Sequence, residues 1–100
     1  MRHSKLVRDG IPEIIRKKGG KPKTHTATGS EYWRRLKDKL VEEAQEFNES
    51  EEDTELADIL EVVRAICEEI GLSWRALDTI RHRKARERGS FKKRIILEGA

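Results

Sequence analysis

Leu40-Val41-Glu42-Glu43-Ala44-Gln45-Glu46-Phe47-Asn48-Glu49-Ser50-Glu51-Glu52-Asp53-Thr54-Glu55-Leu56-Ala57-Asp58-Ile59 is the stretch whose reading decides the fold. Residues three or four apart share a helix face. Glu42-Glu43-x-x-Glu46 therefore presents convergent carboxylates late in one helix, and Glu55-x-x-Asp58 does the same early in the next. So short a connection packs the two helices antiparallel as a hairpin, and four or five carboxylates meet at one end of the pair.

Outward from that turn the periodicity continues. Trp33, Leu36, Leu40, Ala44 and Phe47 recur at spacings of three and four, which predicts an amphipathic helix from near Ser30 to near Asn48. Thr28 with Glu31 offers a capping box, and Ser30 is an equally good cap. Ser50 is the expected N-cap of the following helix, which runs from about Glu51 to Ile70 and stops at Gly71. Its apolar face holds Leu56, Ile59, Leu60, Val63, Ile66, Cys67 and Ile70, widened by Val62. That arc is broader than one partner helix needs, and fits a central helix with several neighbours, a second subunit among them. Ser73 caps a third long helix, with Trp74, Leu77 and Ile80 inward and Gly89 at its end. Near the N-terminus, Pro12 suits the first turn of a short helix closed by Gly19-Gly20. Residues 20–29 read as a loop. Ile95-Ile96-Leu97 reads either as a short strand or as an extended arm.

The chain of 100 residues is one domain, and with 35% hydrophobic against 41% charged residues its core is thin. A thin core borrows a partner's surface, so self-association as a homodimer or homotetramer is expected. No apolar run approaches the ~20 residues that span a bilayer, and no apolar stretch at the start resembles a secretory signal. These features predict no membrane partner. With Cys67 the single cysteine, no internal disulfide forms, and the cytoplasm is the simplest compartment.

The net charge of +3 conceals two blocks of opposite sign. Glu42 to Asp58 holds nine acidic residues and no basic ones; Arg75 to Arg94 holds nine Lys or Arg against Asp78 and Glu87. They are either solvated faces or a cation site opposite an anion site. At roughly 100° per residue, Glu43 falls about 20° from Leu36, and Glu55 falls between Val62 and Ile66. A solvated acid does not belong on those buried sides. Glutamates at a helix C-terminus also oppose its dipole, and clustered carboxylates repel unless a cation neutralises them. Lys39 reaches Glu43, but one ammonium does not balance four or five acids. Oxygen-only ligation suits Mg²⁺, with Mn²⁺ as the alternative. For Glu49, Glu51, Glu52 and Asp53 a solvated face suffices.

The pattern E-E-x-x-E then E-x-x-D resembles the all-alpha nucleoside triphosphate pyrophosphohydrolases, which include MazG-type enzymes, phosphoribosyl-ATP pyrophosphohydrolase and dimeric dUTPases. Lys5-Leu-Val-Arg-Asp-x-Ile-Pro-Glu-Ile-Ile is similar to the opening of small MazG-like members, and Lys84-x-x-x-Arg88-Gly-Ser-Phe to their closing stretch. The resemblance implies an all-α antiparallel bundle over residues 1–100, its core completed by oligomerisation. It also implies Mg²⁺ ligands at Glu43, Glu46, Glu55 and Asp58, with Glu42 a supporting acid or water activator, and Glu42 and Glu43 as the catalytic pair. Eight residues separate Glu46 from Glu55, fewer than is usual in MazG-type enzymes, which bears on substrate identity more than on metal binding.

Lys84 and Arg88 lie four apart and present a point charge and a planar fork on one face, a phosphate-binding pair beside the acidic site. Arg81, Arg83, Arg86, Lys92 and Lys93 read as a solvated basic face. Lys5 and Arg8 are secondary candidates for the phosphates, a solvated arm being the plainer reading. His3, His25 and His82 lack ligand spacing, and Cys67, Trp33, Trp74 and Phe91 read as core. The expected activity is Mg²⁺-dependent cleavage of a nucleoside triphosphate at the α–β linkage to give monophosphate and pyrophosphate, and the resemblance implies a role in clearing unwanted nucleotides. Hydrolysis of phosphoribosyl-ATP, a nucleic-acid-binding module built on the basic C-terminal segment, and a helical dimerisation module without catalysis are the rivals.

Overall fold

The computed structural model describes residues 4–100, so His3 lies outside the described residues. The described residues are all-helical: α1 Ile11–Lys17, α2 Gly29–Ser50, α3 Asp53–Ile70 and α4 Trp74–Arg88. Helices α2 and α3 pack against each other as the hairpin that organises the molecule, and α4 packs slightly on α3 and not at all on α2. Helix α1 packs on no other helix. The radius of gyration is 17.5 Å, against about 13 Å for a compact domain of this length. The splayed helices, not a large core, set that dimension.

Local chemistry explains the helix ends. Pro12 occupies the first turn of α1, where a missing N–H costs nothing. Helix α2 starts at Gly29 with Thr28 at the N-cap position, yet no side chain caps it. The expected capping box is absent because the Glu31 carboxylate is bound to His25 Nε2 at 3.0 Å and lies 3.7 Å from Arg35. Helix α2 also runs past Asn48 to Ser50, and Glu51 ends it in the left-handed region at φ 58°. Ser50 therefore does not cap α3. Its hydroxyl accepts a bond from the Glu52 N–H at 3.2 Å inside the turn, and Glu52 is the N-cap residue. Gly71, at φ 71°, ends α3 as only a glycine does without strain. Ser73 caps α4 by accepting from the Ala76 N–H at 3.1 Å.

The core is Leu36, Val62 and Cys67, with the buried face of α3 centred on Val62. Leu56, Leu60 and Ile70 were expected on the inner face of α3 but are exposed, as is Val41 on α2. Ala44 is exposed as well. The period marks an apolar arc, but α2 covers only part of it and α4 splays away. Leu77 and Ile80 are half-buried. Trp74 stays exposed, with the Arg64 guanidinium 5.5 Å from its ring centre. Phe91, expected in the core, is exposed, and Ile95-Ile96-Leu97 forms no strand and is exposed too. After the turn at residues 91–93 that tail has no regular secondary structure.

Candidate metal centre

The turn at Glu51-Glu52 folds the end of α2 against the start of α3. It thereby brings five carboxylates into two overlapping trios. Glu42, Glu43 and Glu46 form one and Glu43, Glu55 and Asp58 the other, with one oxygen from each member within 4.8 Å of the others. Glu43 belongs to both. All five acids singled out in the sequence thus come together at one end of the hairpin.

Glu43 is buried, its side chain only 8% exposed. Its Oε1 lies 3.3 Å from Lys39 Nζ, while its buried Oε2 has no hydrogen-bond partner. A buried acceptor with no partner is costly and asks for an explanation. Burial pushes the Glu43 carboxyl above the ordinary glutamate range; the neighbouring Glu46 adds to this and Lys39 opposes it. Burial raises Glu55 as well, with the Asp58 and Glu43 carboxylates adding to the shift. A partnerless buried oxygen on the residue shared by two oxygen-only trios is the arrangement that a hard divalent cation completes. The residues fit such an ion.

Two further cations reach the cluster from the segment before α1. Lys5 Nζ lies 3.3 Å from Glu42 Oε1, and Arg8 Nη2 donates to Asp58 Oδ1 at 2.8 Å. Lys39 Nζ is also 3.4 Å from Glu42 Oε2. The same segment is anchored by Arg35, which donates to the Ser4 carbonyl at 2.7 Å and to its hydroxyl at 3.0 Å. Between this arm and the hairpin lies a cleft of about 370 Å³. Arg8 and Lys39 line it together with the carboxylates of Asp9, Glu43, Asp58, Glu61 and Glu68, and Tyr32 and Leu36 lie among its other walls. Burial raises the Tyr32 hydroxyl above its ordinary value, and Glu69, Glu68 and Asp9 add to that.

Among the described residues no hydrogen bond or ion pair joins Lys84 or Arg88 to the clustered carboxylates. These two residues lie on α4, which starts from the far end of α3 and makes no contact with α2, and both are exposed. The contacts made by Lys5 and Arg8 span 37 and 50 residues of chain, so no local spacing announces them.

No family model matches the chain, and no solved structure matches it. A protein of Mycolicibacterium smegmatis described as uncharacterized is 48% identical over 44 residues. That segment is 44% of this chain and 45% of the relative, so the matched part spans less than half of either.

Proposed function

We propose that this protein is a Mg²⁺-dependent nucleoside triphosphate pyrophosphohydrolase of MazG-like type. The observation that carries the reading is Glu43: a buried carboxylate with a partnerless oxygen, shared by two carboxylate trios. Glu43, Glu46, Glu55 and Asp58 would hold the metal, Mn²⁺ serving as a substitute. When bound, Mg²⁺ supplies charge neutralisation and polarisation of phosphoryl oxygens.

The chain's own groups do the rest. Glu42, on the open side of the cluster, accepts the proton of the attacking water. A bond forms from that water to the α-phosphorus while the bond to the α–β bridging oxygen breaks, and pyrophosphate leaves with the electron pair. Lys39 holds Glu42 and Glu43 in place. Its ammonium also lines the cleft beside Glu43 and Asp58, where the polyanion would be held. The products are a nucleoside monophosphate and pyrophosphate, consistent with a role in nucleotide clearing. The free, buried Cys67 is in keeping with a reducing, cytoplasmic setting. Among the described residues no helix is long and apolar enough to cross a membrane.

A homodimer or homotetramer accompanies this reading. Val41, Leu56, Leu60 and Ile70 form apolar surface that a second copy would cover. The exposed basic α4 supports a second reading, a nucleic-acid-binding module, whose affinity would fall steeply with salt.

The test is a panel of nucleoside triphosphates, with phosphoribosyl-ATP included, incubated with and without Mg²⁺ and scored for pyrophosphate against orthophosphate. Metal-dependent pyrophosphate from at least one substrate, lost in Asp58→Asn, is the expected result. Pyrophosphate from none of them rejects the reading.

A further inference from the structure

We infer that Lys5 and Arg8 form the polyphosphate-binding half of the carboxylate site, exchanging their carboxylate partners for phosphate oxygens when a divalent cation occupies the cluster. The inference rests on the metal reading above and assigns the anion-binding role to the N-terminal arm in place of α4.

Charge and position both point there. Glu42, Glu43, Glu46, Glu55 and Asp58 are faced by Lys39, Lys5 and Arg8. Five carboxylates against three cations leave the cluster two positive charges short, the charge of one divalent ion. Arg8 and Lys5 therefore hold part of the place that a metal would take. A metal that takes Asp58 and its neighbours as ligands frees Arg8, which lines the cleft, and Lys5, which lies at Glu42, and the oxygens of a polyanion then accept from the freed nitrogens. A polyphosphate bridging metal and arm is the ligand class that meets both requirements.

Reach and chemistry agree with this. Only one nitrogen of Arg8 is bonded to Asp58, and the side chain remains 57% exposed, so its planar fork is open to a second acceptor pair. Lys5 is 55% exposed and bound to Glu42 at 3.3 Å, at the loose end of hydrogen-bond range. Arg35 fixes the arm at Ser4, so the backbone stays docked while the two long side chains swing between partners. The arm runs from Glu42 on α2 to Asp58 on α3, and so gives one cation to each of the two trios that share Glu43.

Two equilibrium titrations test the exchange without reference to turnover. Mn²⁺ is titrated into the metal-free protein, and inorganic pyrophosphate into the Mg²⁺-saturated protein, for the wild type, Arg8→Gln, Lys5→Gln and the double variant. Removing the competing cations should tighten Mn²⁺ binding by about threefold per site while weakening pyrophosphate by about tenfold. Those opposite signs are not what a merely structural arm would give. Arg8→Lys keeps the charge and loses the fork, so it should hold Mn²⁺ affinity near wild type and lose part of the pyrophosphate affinity. Thermal melts of each variant establish that it is folded. Variants that keep wild-type pyrophosphate affinity, or that lose Mn²⁺ and pyrophosphate together while folded, overturn the exchange alone. A wild type that binds no divalent cation overturns the metal reading and the exchange with it.

Discussion

Glu43→Gln should make the metal-free protein more stable while abolishing its response to metal. The wild-type carboxylate has a buried oxygen with no partner, and an unsatisfied buried group of this kind costs about 1–3 kcal/mol. Glutamine keeps the shape, removes the charge, and supplies an amide that donates to a neighbouring carboxylate. The substitution turns the ion pair with Lys39 into a neutral acceptor contact, a loss of about 1 kcal/mol, because the glutamine carbonyl still accepts from Lys39 and Lys39 keeps Glu42 at 3.4 Å. A net gain of about 1 kcal/mol follows, which for a domain of this size raises Tm by about 4–8 °C. The sign of the pH dependence follows from the raised carboxyl of Glu43. As pH rises above the ordinary glutamate range, the unfolded chain releases its proton first, so the folded state loses stability until its own group has ionised. The advantage of Gln is therefore present at about pH 8 and gone at about pH 4, where the wild-type carboxyl is largely protonated in both states. On the proposed metal reading, saturating Mg²⁺ should invert the order, because a wild type that binds it gains about 2.7 kcal/mol at a hundredfold excess over Kd and the variant gains little. Circular-dichroism melts at the two pH values, with and without Mg²⁺, measure all of this. A variant that melts below wild type at about pH 8 without metal, or that gains as much from Mg²⁺, refutes the reasoning.

Glu51 holds a left-handed φ of 58° at the end of α2. Glu51→Gly should stabilise the protein by about 0.5–1 kcal/mol in urea unfolding, and a loss of stability would show that the Glu51 side chain contributes more than its strain. Ser73→Ala removes the one side-chain N-cap hydrogen bond observed on these helices and should cost about 1 kcal/mol, read as a lower urea midpoint at unchanged m. Leu60→Lys places a charge in the exposed apolar surface of α3. Light scattering should show a smaller species than wild type, and an unchanged mass would place any self-association elsewhere.

The hairpin was legible because two periodic stripes flank a short acidic turn, and because helix phase alone puts Glu43 beside Leu36. Phase does not say whether a neighbour arrives to cover an arc. Leu56 and Leu60 are apolar at the right spacing and remain exposed, since nothing in the described chain packs there. The relation of Lys84 and Arg88 to the carboxylates was unreadable for a related reason. Their spacing fixes a helix face, but the direction in which α4 leaves Gly71 depends on backbone angles that composition does not encode. Arg8 and Lys5 were unreadable as partners of Asp58 and Glu42 because nothing local links residues so far apart in sequence.

That separation has a consequence for the order in which the molecule assembles. Every carboxylate of the cluster lies between Glu42 and Asp58, so closing one short loop gathers all of them. Contacts of this kind form early and fast. The bonds from Lys5 and Arg8 close loops of 37 and 50 residues and belong to the last stage. A nascent hairpin therefore carries its full negative charge before the arm arrives, and a divalent ion present at that moment would act as a folding ligand, easing the repulsion that otherwise opposes the turn.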